Sequence, residues 1–103
     1  MIAIINATYP LHTFKQLVQA FTSPDIPKRP ESVKEISSIG YFDDSGAHAV
    51  FMFDVPDAQA AEFLVAQGKR TAFIGARVHG FISSVHLGQN VGEAIPSLMP
   101  MFP

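Results

Sequence analysis

From residue 48 to 55 the chain reads HAVFMFDV. A strand with one wet face alternates apolar and polar side chains. Here Ala49, Val50, Phe51, Met52 and Phe53 are apolar without a break, so both faces of this strand require cover. IAIINATY, residues 2–9, predicts a first strand of the same kind. In the stretch that follows, PLHTFKQLVQAFTS, Leu11, Phe14, Leu17, Val18 and Phe21 fall on one helix face. Pro10 suits the first turn of that helix, where a missing N–H costs nothing, and Pro24 stops it. Residues 23–32 hold three prolines and read as a stiff connecting loop.

VKEISSIGYFDD, residues 33–44, predicts a second strand. DDSG, residues 43–46, supplies turn chemistry, so the second and third strands form an antiparallel hairpin. Asp54, Pro56 and Asp57 open a second helix. Ala58, Ala61, Leu64 and Val65 are its expected buried face, and Gly68 its expected left-handed end. Residues 69–78 fit a longer helix, a separate short helix or the start of a strand. HGFISSVHLG, residues 79–88, predicts the last strand. Residues 91–103 form a tail with one helical turn near Glu93 to Leu98; Leu98, Met99, Met101 and Phe102 are too apolar to stay idle in water.

The order is β-α-β-β-α-β plus a tail, an α+β arrangement with an antiparallel sheet and both helices on one face. One domain spans residues 1–90, with the tail at 91–103. Helices cover the face carrying Ala49, Phe51 and Phe53. The face carrying Val50 and Met52 is left open. Two covers fit: the same face of a second copy, or the chain's own tail folded back. The composition points the same way. Only 16% of residues are charged, against about a quarter in ordinary domains, so part of the surface is expected to lie against something other than water.

Element order, length and the doubly apolar sheet resemble the dimeric α/β-barrel superfamily of ferredoxin-like domains over most of residues 1–90. Its members include small monooxygenases, muconolactone-isomerase-like and chlorite-dismutase-like enzymes, and stress-responsive barrels. The resemblance implies a homodimer in which two sheets pack into a barrel, with ligand pockets between sheet and helices. It rests on pattern and carries no catalytic motif over to this chain.

Charge and residue types exclude several functions. The formal net charge is −2 and the seven Lys and Arg are scattered, which argues against nucleic acid or an anionic membrane as partner. No apolar run approaches the roughly 20 residues of a membrane helix. The absence of cysteine removes disulfides, thiolate metal sites and a thiol nucleophile. With strand-like sequence from Ile2 and no basic leader, a cytoplasmic location is expected. No metal site or cofactor is expected. His79 and His86 are seven apart and point to opposite faces of a regular strand, and His12 and His48 sit elsewhere. Ser83 and Ser84 lack a nucleophile elbow.

The residues best suited to a small-molecule pocket are Tyr9 and Tyr41, each an apolar body with one polar tip. Phe51 and Phe53 would supply apolar wall, and Arg77 would meet a carboxylate or enolate-like oxygen. His79 is the acid–base candidate. For each of these a plain structural role is the competing reading: tyrosines capping the core, Arg77 pairing at the surface, His79 bonding a carbonyl. The expected function is a homodimeric module that binds a small apolar or aromatic molecule without catalysis. The alternative is a small cofactor-independent monooxygenase-like or isomerase-like enzyme.

Overall fold

The computed structural model describes residues 1–101. Four strands and three helices follow in the order β1 (Ile2–Tyr9), α1 (Phe14–Phe21), β2 (Lys34–Asp43), β3 (Gly46–Asp54), α2 (Ala60–Gly75), β4 (Ile82–Gly88) and α3 (Val91–Leu98). The sheet is antiparallel throughout with order β2-β3-β1-β4, a ferredoxin-like arrangement. The expected α+β arrangement, an antiparallel sheet in the order β-α-β-β-α-β, is therefore the observed one.

Register assigns the faces. Ala3, Ile5, Ala7 and Tyr9 lie opposite Phe53, Phe51, Ala49 and Ala47, and most of this set is buried beneath the helices. Two clusters form there. One joins Tyr9, Leu17, Ala20, Ala47, Ile74 and Val78. The other joins Ala3, Ile5, Phe53, Val55 and Phe63. The opposite set, with Ile4 facing Met52 and His86, and Asn6 facing Val50 and Ser84, carries no helix.

The second helix differs from expectation. It runs through Gly68 to Gly75, so residues 69–75 are helical and Gly68 is not its end. The buried positions are Phe63, Gln67, Arg70 and Ile74, spaced as one helix face, whereas Leu64 and Val65 are exposed. The reason is a polar pair the hydrophobic pattern hides. Arg70 donates to the Pro27 carbonyl at 2.7 Å, and Gln67 accepts from Arg29 at 3.2 Å, so this face grips the proline-rich loop. The Arg29 guanidinium also lies 4.3 Å above the Phe53 ring. Burial, and secondarily the nearby Arg70 charge, lower its pKa to about 10.

The last strand begins at Ile82, and His79 sits in the turn before it rather than at the strand's start. Gly80 makes that turn with φ +83°, a conformation L side chains rarely adopt. A Cβ there would lie 2.8 Å from Pro10 Cγ, so the turn packs directly on the start of the first helical turn.

The single chain is less compact than its length allows. Its radius of gyration is 15.5 Å, against about 13 Å for a compact chain near 100 residues. Its accessible surface of 6927 Å² exceeds by roughly 1,200 Å² the about 5,700 Å² expected for its mass. The extra surface has clear sources. β2 buries none of its residues, and Val91, Ile95, Leu98, Met99 and Met101 of the tail are exposed. Phe102, expected to pack with them, lies outside the described residues.

Candidate functional site

α1 presents two apolar faces. Leu17 and Ala20 enter the core, while Leu11, Phe14 and Val18 stand in a second stripe at i, i+3 and i+7. β2 extends past the helices as the outer strand. Between the second stripe and β2 lies an open groove of about 270 Å³. Phe14, Val18 and Phe21 form one wall, Ser38 and Gly40 the other, and Tyr9, Ala49 and Phe51 the floor. It continues toward the hairpin into a second hollow of about 390 Å³ bounded by Leu11, Tyr41, Phe42 and Ala47. Tyr9, Phe14 and Gly40 line both.

Gly40 shapes this groove. A Cβ at that position would meet only the His48 carbonyl at 3.9 Å, so the space beside it is free. Polar groups on the walls are few: the Tyr9, Thr22 and Ser38 hydroxyls in the first hollow and Tyr41 in the second. A small apolar or aromatic molecule oriented by one hydroxyl fits this chemistry. Phe21 and Phe51, 5.9 Å apart and tilted by 44°, offer ring faces and edges for an aromatic guest.

Of the residues picked out in the sequence, the groove brings together Tyr9 and Phe51, while Tyr41 borders its hairpin end with the ring on the opposite sheet face against His48. The others lie apart. Phe53 is buried against Phe63, with ring centroids 6.0 Å apart. Arg77 donates to the Phe73 carbonyl at 2.9 Å and lies 3.5 Å above the Phe73 ring, at the end of its own helix. His79 is exposed in its turn. The sequence pattern did not point to Val18 or Gly40 as groove residues. Val18 counted there toward a single core-facing stripe, and only the position of β2 shows that α1 serves two surfaces.

One cluster combines Ser, His and Asp. Ser45 Oγ donates to Asp43 Oδ1 at 2.6 Å and lies 2.9 Å from His48 Nε2, which is 3.0 Å from the same Asp43 oxygen. Thr8 Oγ1 is 3.2 Å from His48 Nδ1, and the Tyr41 ring stacks on the imidazole at 4.8 Å. A nucleophile triad needs serine and carboxylate on opposite ring nitrogens. Here both meet Nε2, and the serine proton points to the carboxylate. The cluster is a clamp on the β2–β3 hairpin, which turns at Gly46 with φ +127°. Among the described residues no three His, Cys, Asp or Glu side chains gather to hold a metal ion.

The clamp has a pH signature. Hydrogen bonds from the Ser45 hydroxyl and amide, and then from His48, hold the Asp43 carboxyl at about 2, below its usual 3.8. A lowered acid favours the clamped hairpin above pH 4, and that contribution disappears as pH falls through about 2. A carboxyl-carbon NMR titration should place the Asp43 midpoint near 2, and Ser45→Ala should return it toward 3.8. A native midpoint already at 3.8 would show the clamp open in solution.

No protein-family model matches this chain, and no curated protein matches it in sequence. Among solved structures it is similar to the crystal structure of a DUF3240 family protein from Shewanella baltica, with 15% identity over 86% of this chain and 92% of that one and a TM-score of 0.34. A likeness of that degree assigns neither family nor activity. Among the described residues no helix is long and apolar enough to cross a membrane.

Proposed function

We propose that this chain is a non-catalytic cytoplasmic module of the dimeric α/β-barrel type. It pairs with a second copy through the open sheet face and holds a small apolar or aromatic molecule in the groove between α1 and β2. The observation that carries the binding half is the second apolar stripe of α1. Phe14 is 54% exposed and Val18 43% in the free chain, yet they face a groove and not a flat surface. Aromatic and aliphatic walls with few polar groups are the usual make-up of a small-molecule pocket.

The assembly half is supported by the surface excess. Specific interfaces bury about 800 Å² per partner, within the roughly 1,200 Å² by which this chain exceeds a compact monomer. Ile2, Ile4, Val50 and Met52 lie together on the open face, and Ile39 and Ile82 flank them at 60% and 70% exposure. Binding is favoured over turnover because the acid–base candidate His79 and the cation Arg77 lie away from the groove, whose polar groups are neutral hydroxyls.

Gly40→Leu tests the binding half, since its Cβ enters free space and the side chain extends into the groove. Saturation-transfer NMR with naphthalene as probe should show transfer from the native protein and none from Gly40→Leu at equal melting temperature. Equal transfer from both proteins would remove the groove as the binding site.

A further inference from the structure

We propose that the C-terminal helix α3 of one copy lies over the α1–β2 groove of a second copy and closes it. This rests on the dimer reading above and adds what completes the site.

Two unfilled apolar surfaces on the same chain lead to this. Val91, Ile95, Leu98 and Met99 fall at i, i+4, i+7 and i+8, one stripe along α3 that continues into the following 3-10 turn. All four are exposed, between 48% and 72%. An amphipathic helix with an uncovered stripe at this spacing is the donor half of helix-in-groove recognition. The acceptor half is the groove, walled by Phe14 and Val18, which are 54% and 43% exposed. The lengths agree. From Val91 to Met101 the helical tail spans about 17 Å, and the segment Leu11 to Phe21 that lines the two hollows spans roughly 18 Å. Charge poses no obstacle: residues 91–101 carry one ionisable side chain, Glu93, and no charged residue lines either hollow.

The tail does not meet the groove of its own chain. It leaves the sheet after Gly88, on the outer strand β4 and level with Ile2. The groove lies at the other outer strand, level with Ala7 and Tyr9. Across the four strands this is about 14 Å, and along them about 17 Å more. The helix layer stands between the two on that face. A second copy removes the obstacle. When two open faces pack about a two-fold axis parallel to the strands, each β4 edge lies over the partner's β2 edge. The groove lies on the helix side of the partner's sheet, so the tail rises along that edge and turns over the outer strand β2 to reach it.

Closing the groove has a chemical consequence. A hollow open to water becomes an enclosed apolar pocket, in which a small guest loses most of its contact with solvent. The pocket is then complete only in the assembled pair.

The chain has no cysteine, so engineered thiols report proximity without background. Val18→Cys and Ile95→Cys are made in separate chains and mixed, with Ile95→Cys plus Lys69→Cys on the outer surface of α2 as control. Under mild oxidation the first mixture should form mixed disulfide dimers about tenfold or more faster than the control, as expected of groups held together rather than meeting by collision. The same mixtures are run in sedimentation equilibrium before oxidation. A dimer with equal rates in both mixtures overturns this inference and leaves the face-to-face pair standing. A monomer in sedimentation overturns both.

Discussion

Phe63→Ala is expected to lower stability by about 3–5 kcal/mol, the range for deleting a fully buried ring whose cavity cannot collapse. Phe63 has no exposed surface and packs on Phe53 at 6.0 Å within the cluster of Ala3, Ile5 and Val55. It holds the first half of α2 to the sheet, with the polar Gln67 and Arg70 between it and the next buried apolar residue of the face, Ile74. Total stabilities of small domains are about 5–15 kcal/mol, so this single change should lower the melting temperature by on the order of 20 °C. Phe14→Ala removes the same ring from the groove wall, where it is half exposed, and should cost no more than about 1 kcal/mol. Thermal denaturation of the two variants decides. If Phe14→Ala melts lower than Phe63→Ala, the division of α1 and α2 into core and groove surfaces is wrong.

Met52→Asp should have its largest effect on assembly. Met52 lies opposite Ile4 and Ser37 on the helix-free face, so the variant's carboxylate points away from the core. In the free chain it meets water. In a face-to-face pair it is buried without a partner, once from each copy, and an unpaired charge in an apolar contact is costly. A loss of about 4 kcal/mol raises the dimer Kd about a thousandfold. Far-UV circular dichroism should stay unchanged. Unfolding of Met52→Asp would instead mean that the chain covers this face itself.

Most of the fold was legible because strand periodicity and turn chemistry agree. HAVFMFDV, with apolar residues on both faces, implied helices on one side and an open face on the other, and the register of Ile4, Val50 and Met52 bears this out. The second helix was misread for a physical reason. Its buried face contains Gln67 and Arg70, whose burial depends on a loop about 40 residues away and leaves no local hydrophobic signal. Gly68 looked like a stop, yet a single glycine costs a helix only about 1 kcal/mol, and Phe63 and Ile74 anchor the helix on either side of it. The site was half legible. Tyr9 and Phe51 meet at the groove because register puts them on one sheet face, and the same register sets Tyr41 opposite His48 on the other. His79 was expected at the pocket as the start of the last strand, and the turn at Gly80 moves that start to Ile82; Arg77, in the stretch left open between helix and strand, follows α2 and bonds back to it.

The open sheet face is the feature from which the rest follows, and sedimentation equilibrium tests it most directly. At micromolar concentration the native chain should sediment at about twice its 11.2 kDa mass, and Met52→Asp at the single-chain mass. A native chain that sediments at 11.2 kDa would contradict the account.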